Sequence, residues 1–367
     1  MDVPFVDLKI QYNSLKSEID SAIHSVIKET AFIGGKFVQE FEKAYARKYG
    51  VRHCISCANG TDAIYITLRA LGIGSGDEVI TVANSWISTS ETISQAGAKP
   101  VFVDIEPDYF NIDTEKIEEK ITKKTKAIVP VHLYGQPAKI EEIKEKCEKY
   151  NLFLIEDCAQ AHFAEYDSQK VGTFGIAGTF SFYPGKNLGA YGDAGAIITN
   201  NDDFAIKARM FANHGALQKH QHEMEGINSR MDGIQAAILN VKLKYIDEWN
   251  GARHNNALRY NELLSAIPEI KIPKIRENSF HIFHLYVIRT DERDELANYL
   301  KSKKIGTGIH YPTALPFLPA YRYLGHKPSD FSVAYKYQGE ILSLPMYPEL
   351  DNDQIDYAAY AIKEFFR

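Results

Sequence analysis

Short apolar runs alternate with helix-patterned stretches through the first two thirds of this chain, and that alternation most narrows what it can fold into. Runs rich in β-branched and apolar residues occur at His53–Cys57, Glu78–Val82, Pro100–Asp104, Ala127–Leu133, Leu152–Glu156, Thr179–Tyr183 and Ala196–Thr199. Helical patterns separate several of them, at Thr61–Leu71, Ser88–Gln95 and Ile140–Tyr150. A parallel strand pair needs a crossover, usually a helix, so the pattern predicts an α/β unit built on a mostly parallel seven-stranded sheet with helices on both faces.

A chain of 367 residues is longer than one core usually supports, so a second unit is expected. The pattern changes after a long helical stretch at Ser229–Glu248. A strand-like run at Phe283–Ile288, a helix at Arg293–Lys303, a further strand at Gly306–Tyr311 and a terminal helix at Asn352–Phe366 predict a smaller α+β domain over 249–367, beside a large domain over 1–248. The proline-rich stretch Tyr311–Pro319 reads as a loop of fixed shape.

The net charge of −6 is spread along the chain rather than gathered in a basic block, which argues against a nucleic-acid surface. The opening MDVPFVDLKIQYNSLKSEI has acidic residues where a secretory signal needs a basic flank, and no apolar run approaches membrane-spanning length. The expectation is a cytoplasmic protein with no membrane partner. Cys54 and Cys57 form C-x-x-C, but no second pair completes a zinc site, so they read as small strand residues and Cys147 and Cys158 as reduced thiols. No metal is expected.

In open α/β sheets ligands gather at the carboxyl ends of the strands. After the first run, Asn59, Gly60 and Thr61 open an amphipathic helix whose free N–H groups suit a phosphate, or mark a plain helix cap. The fifth run ends in Glu156-Asp157, where a carboxylate at a buried strand tip needs a partner such as a cationic ring nitrogen, a helix N-terminus or a basic side chain. Trp86 offers a flat face near the same edge. The stretch FSFYPGKNLGAYGDAGAIITN then sets Lys186 in a loop with Gly185, Gly189, Gly192 and Gly195, as if side chains had been cleared around it. An amine, an acid, an aromatic face and phosphate donors are together what pyridoxal phosphate asks for. A lysine that caps carbonyls or pairs with Asp193 is the alternative.

From about Val3 to Arg367 the chain resembles the sugar-nucleotide aminotransferases of the DegT/DnrJ/EryC1/StrS family, which have the aspartate aminotransferase-like fold type I. The matching stretches are GTDAIYITLRALGIGSGDEVI, GAKPVFVDIEPDYFNID, AIVPVHLYGQPAKI, IEDCAQAH, GTFSFYPGKNLGAYGDAGAIITN, NSRMDGIQAAIL and IHYPTALPFLPAY. The resemblance implies pyridoxal 5'-phosphate as cofactor, L-glutamate as amino donor with 2-oxoglutarate as its product, a nucleotide-linked keto sugar as acceptor, and a homodimer with shared sites.

Carried onto this sequence, the resemblance makes Lys186 the Schiff-base lysine and proton shuttle. Asp157 would hold the ring nitrogen, Gln160 the ring hydroxyl, and Gly60, Thr61 and Ser181 the phosphate. Trp86 stands at the ring-stacking position, and Asn228 would reach the partner subunit's site. Tyr183, Arg230, His310 and Tyr311 would meet the substrate. The stretch Tyr183–Ala190, YPGKNLGA, is similar to family members acting on 3-keto-6-deoxy sugars, so a dTDP-3-keto-6-deoxyhexose is favoured over a UDP-linked 3-keto sugar or a 4-keto sugar. A dehydratase, in which histidine replaces the lysine, is disfavoured by Lys186, and a regulatory protein of this fold is the remaining alternative.

Phe163 departs from the family, where many relatives have glycine, and is expected either to reshape the sugar pocket or to face the core. The polar loop Gln218–Asn228 carries His220 and His222 without a convincing third ligand, so it reads as a surface or substrate-covering loop.

Overall fold

The computed structural model describes residues 1–367. Two N-terminal helices, α1 (Leu8–Glu29) and α2 (Gly35–Tyr49), precede strand β1 (His53–Cys57), helix α3 (Gly60–Ala70), β2 (Glu78–Val82), α4 (Ser88–Gln95), β3 (Lys99–Val103), β4 (Thr125–Val129), α5 (Ile140–Tyr150) and β5 (Phe153–Asp157). A small ribbon, β6 (Glu165–Tyr166) and β7 (Gln169–Lys170), leads to β8 (Ala177–Ser181), β9 (Gly195–Thr199) and α6 (Asp202–Ala212). The expected helix at Ser229–Glu248 is two helices, α7 (Gly233–Lys242) and α8 (Ile246–Leu264), so a division at 248/249 falls inside α8. Beyond it come β10 (Ser279–Phe280), β11 (Tyr286–Arg289), α9 (Arg293–Ser302), α10 (Ser332–Tyr337), β12 (Ile341–Leu344) and α11 (Asn352–Phe365).

The seven-stranded sheet has the order β1-β9-β8-β5-β4-β2-β3. Only β9 runs against its neighbours, pairing antiparallel with both β1 and β8, whereas β8, β5, β4, β2 and β3 are parallel. Two reversals restore the direction of β1. Consequently β1, β5 and β8 all deliver their carboxyl ends to one edge, and the loop from β8 back to β9 must lie at that edge too. The middle strands are mainly apolar because helices cover both faces: Leu154, Ile155, Ile197 and Ile198 are buried.

Helix α2 shows how the covering is made. Phe37, Val38, Phe41, Tyr45, Ala46 and Tyr49 fall on one stripe, and all are buried. Gly50 then ends the helix at φ 74°, a left-handed cap that glycine adopts without strain. In the C-terminal third, β11 and β12 form an antiparallel pair, and α11 packs against α8 and α9. The expected strand at Gly306–Tyr311 is instead a loop held by isolated bridges, Ile305 to Val3 and Gly308 to Ser343. Its glycines lie against Phe5 and His310, where a Cβ would clash. No helix is long and apolar enough to cross a membrane.

Candidate active site

A cavity of about 550 Å³ opens at the edge where β1, β5 and β8 end. It is lined by Gly60, Thr61, Trp86, Asp157, Gln160 and Ser181, and also by Tyr183, Lys186, His310 and Tyr311. Thus ten of the expected residues share one space although they span most of the chain. Asn228 and Arg230 are exposed and lie outside this lining.

Adjacent acids at the tip of β5 point to opposite faces, and their surroundings divide their roles. Glu156 is fully buried and accepts N–H bonds from Gly172 (2.6 Å), Phe174 (2.8 Å) and Gly175 (2.9 Å). His132 adds a fourth bond: its Nδ1 accepts from Ala138 N, so its Nε2–H donates to Glu156 at 3.1 Å. Although His132, Glu156 and Cys158 could gather about an ion, that carboxylate is already saturated and anchors the 172–175 turn.

Asp157, 4% exposed, faces the cavity with fewer partners. Thr89 Oγ1 donates to Oδ2 at 2.8 Å and the Ala159 N–H to Oδ1 at 3.1 Å. Burial pushes its pKa up, and these two bonds and the charge of Lys186 push it down. Two oxygens with capacity for about four donors have been given two, so the carboxylate retains room for a cationic N–H.

Lys186 is the complementary group. Burial lowers its pKa to about 8, opposed by the charge of Asp157. No ion pair to Asp193 forms, so that alternative is set aside. The glycines around it act differently from expectation. Only Gly185 lines the cavity. A Cβ on Gly189 would stand 2.3 Å from the Pro184 carbonyl oxygen, and one on Gly195 would stand 2.2 Å from that of Asn59, so both serve close backbone packing.

The anion end is built by the start of α3. Asn59 caps it, accepting from Asp62 N at 2.8 Å, which leaves the first N–H groups directed into the cavity. Thr61 Oγ1 lies 2.7 Å from Ser88 Oγ. A Cβ on Gly60 would come within 2.5 Å of Ser181 Cβ, so the helix start approaches β8 only because that side chain is missing. Vacant acceptor capacity on Asp157, a buried amine and this hydroxyl-lined helix start fit pyridoxal phosphate.

Opposite them, Gln160 is fixed in orientation: its Oε1 accepts from Tyr134 N at 2.7 Å, so its Nε2 donates to Tyr311 Oη at 3.0 Å. Tyr311 also meets Trp86, ring centroids 5.6 Å apart, and His310 stacks on Phe5 at 5.6 Å. The sequence reading missed Ser88, Thr89 and His284. Ser88 and Thr89 follow Trp86 within three residues, whereas His284 hides in an apolar run. Phe163 faces the core: it is buried, its ring stacks on Tyr49 at 4.4 Å, and its N–H donates to Tyr49 Oη at 2.8 Å. His222 Nδ1 lies 2.8 Å from the His214 carbonyl oxygen on an exposed loop.

A buried lysine and an acid at the strand-end edge of this seven-stranded sheet, with a helix start at the same edge, are the arrangement of fold type I, the fold of aspartate aminotransferase. A model of the DegT/DnrJ/EryC1/StrS aminotransferase family matches residues 13–363. The chain belongs to that family. It is 46% identical over 369 residues to a pleiotropic regulatory protein of Geobacillus stearothermophilus, covering 100% of this chain and 99% of the relative. It is 41% identical over 363 residues to the dTDP-3-amino-3,6-dideoxy-alpha-D-galactopyranose transaminase of Aneurinibacillus thermoaerophilus, covering 99% of each. Among solved structures it is similar to S. venezuelae DesV in complex with a ketimine intermediate, with a TM-score of 0.98 and 38% identity over 100% of this chain and 99% of that one.

Proposed function

We propose that this aminotransferase moves an amino group from L-glutamate to a nucleotide-linked keto sugar, and that the acceptor is a dTDP-3-keto-6-deoxyhexose, giving a dTDP-3-amino-3,6-dideoxyhexose. The observation that carries this reading is the loop YPGKNLGA, which presents Tyr183 and Lys186 together into the cavity. The similarity to the Aneurinibacillus transaminase supports the same sugar class.

Pyridoxal 5'-phosphate, when bound, supplies a ring that accepts the electrons left when a C–H bond beside nitrogen is broken. Lys186 would hold it and, once released, take the proton from the donor carbon and return one to the sugar carbon; an amine with a pKa near 8 gains and loses a proton readily near neutrality. Asp157 would accept the ring N–H and keep it charged, and Gln160 has a donor left that would serve the ring hydroxyl. Gly60, Thr61 and Ser181 would hold the phosphate, and Trp86 would offer its face to the ring. His310 and Tyr311, from the 249–367 unit, close over the sugar. Asn228 and Arg230 are read as reaching the site of a second copy in a homodimer, Arg230 by forking onto a diphosphate.

The test is incubation with glutamate and 3-keto or 4-keto sugars carrying dTDP or UDP, followed by NMR assignment of the new amine. Amination at C3 of the dTDP sugar is expected; amination only at C4, or only of UDP sugars, rejects the preferred acceptor. A purified protein that carries the cofactor but turns over no sugar would support a regulatory role instead.

A further inference from the structure

His284 precedes β11 and lines the same cavity as Lys186. Its tautomer can be read from its neighbours. The Ile282 carbonyl can only accept, and it accepts from Asn187 Nδ2 at 3.2 Å. The same Nδ2 donates to Asn250 Oδ1 at 2.8 Å, and Asn250 Nδ2 donates in turn to the His162 carbonyl at 2.9 Å. Two backbone carbonyls therefore orient both amides, and the atom of Asn187 that faces His284 Nδ1, 3.1 Å away, is the acceptor Oδ1. Nδ1 must carry the proton. Nε2 then presents a lone pair, and no protein group donates to it.

We propose that His284 determines specificity for the acceptor, its Nε2 taking a hydrogen bond from a hydroxyl of the keto sugar; this rests on the sugar-nucleotide reading above. The chemistry of the two substrates selects between them. Carboxylates of glutamate are acceptors, and an unprotonated nitrogen repels them, whereas every free sugar hydroxyl can donate. Protonation, which would reverse that preference, is opposed by burial and by the charges of Lys186 and Arg253, which hold the imidazole well below its ordinary pKa. Arg253 binds the carbonyls of His284 and Met346, at 3.4 and 2.8 Å, and so holds the segment that brings His284 to the cavity.

The experiment follows the two half-reactions of the holoenzyme separately through the absorbance of the bound cofactor. In His284→Phe, the keto-sugar half-reaction at subsaturating substrate is expected to slow about tenfold more than the glutamate half-reaction, with His284→Gln, which retains an acceptor, recovering part of the loss. Imidazole nitrogen NMR of the wild type, assigned by the signal missing in either variant, should show a neutral ring protonated at Nδ1. Equal slowing of both half-reactions, no slowing, or an Nε2–H or doubly protonated ring overturns the proposal. A wild type that exchanges with glutamate but aminates no sugar nucleotide fails at the substrate reading, and this inference falls with it.

Discussion

The two walls of the cavity are held by different means. The wall at the strand ends carries Gly60, Thr61, Asp157, Ser181 and Lys186, each within a few residues of a sheet strand, so the sheet register sets their spacing. The facing wall, with Phe5, His284, His310 and Tyr311, comes from loops fixed by side chains: Tyr134 Oη donates to the His310 carbonyl, His310 Nδ1 meets Ser343 Oγ at 2.8 Å, and Arg253 binds Met346. A wall fixed by a sheet suits chemistry that requires one geometry. A wall fixed by side chains can be rebuilt by substitution, and substrate choice is expected to reside there.

Lys186→Ala should give the largest effect, a loss of turnover of more than about a thousandfold with the fold retained by circular dichroism; a loss below tenfold would remove the lysine from the chemistry. The same amine yields a pH test. In cofactor-free protein, half-maximal labelling of Lys186 by an amine reagent should fall near pH 8, rather than near the ordinary 10.4. The sign for stability follows. Between those values the unfolded chain binds more protons, so the Lys186 contribution rises with pH across that window, and the burial cost is borne in full below it.

Asp157→Asn comes next. It retains the shape but removes the charge, and about a hundredfold slowing of both half-reactions is expected, since both depend on a protonated ring. Slowing of the sugar half-reaction alone would place Asp157 with the other wall. Tyr311→Phe tests that wall directly. It deletes the oxygen that accepts from Gln160, and about a tenfold loss, larger for the sugar than for glutamate, is expected.

The difference between the walls also explains what could be read from residues alone. An apolar run that ends in Asp157, or a loop between two such runs that carries Lys186, announces a strand-end site because strand ends are where such sheets bind ligands. His284 gives no comparable signal: Phe283–Ile288 reads as a buried strand, and its histidine passes for core. His310 and Tyr311 end a run that reads as a strand but folds as a loop, since bridges to Val3 and Ser343 are long-range pairings without local periodicity. Tyr134 stands at φ 60°, where a non-glycine residue is uncommon, so the neighbouring Gly135 at φ 94° signals a turn without showing that Tyr134 shares its left-handed backbone.

The smallest effect on turnover is expected at Phe163, and it separates packing from chemistry. The backbone there has φ 63°, in the left-handed region that favours glycine, and that costs Phe163 about 1–2 kcal/mol. The ring offsets that cost by stacking on Tyr49 and lying 5.5 Å from Tyr45. Removing a buried phenyl costs about 3–5 kcal/mol, so Phe163→Gly should lower stability to denaturant by about 1–4 kcal/mol once the backbone relief is subtracted. Turnover and the ratio of the two half-reactions should stay within about twofold, because the side chain lies behind the strand ends and not in the cavity. An altered preference among sugars with stability unchanged would mean that the ring shapes the cavity, and would make the strand-end wall a second seat of specificity.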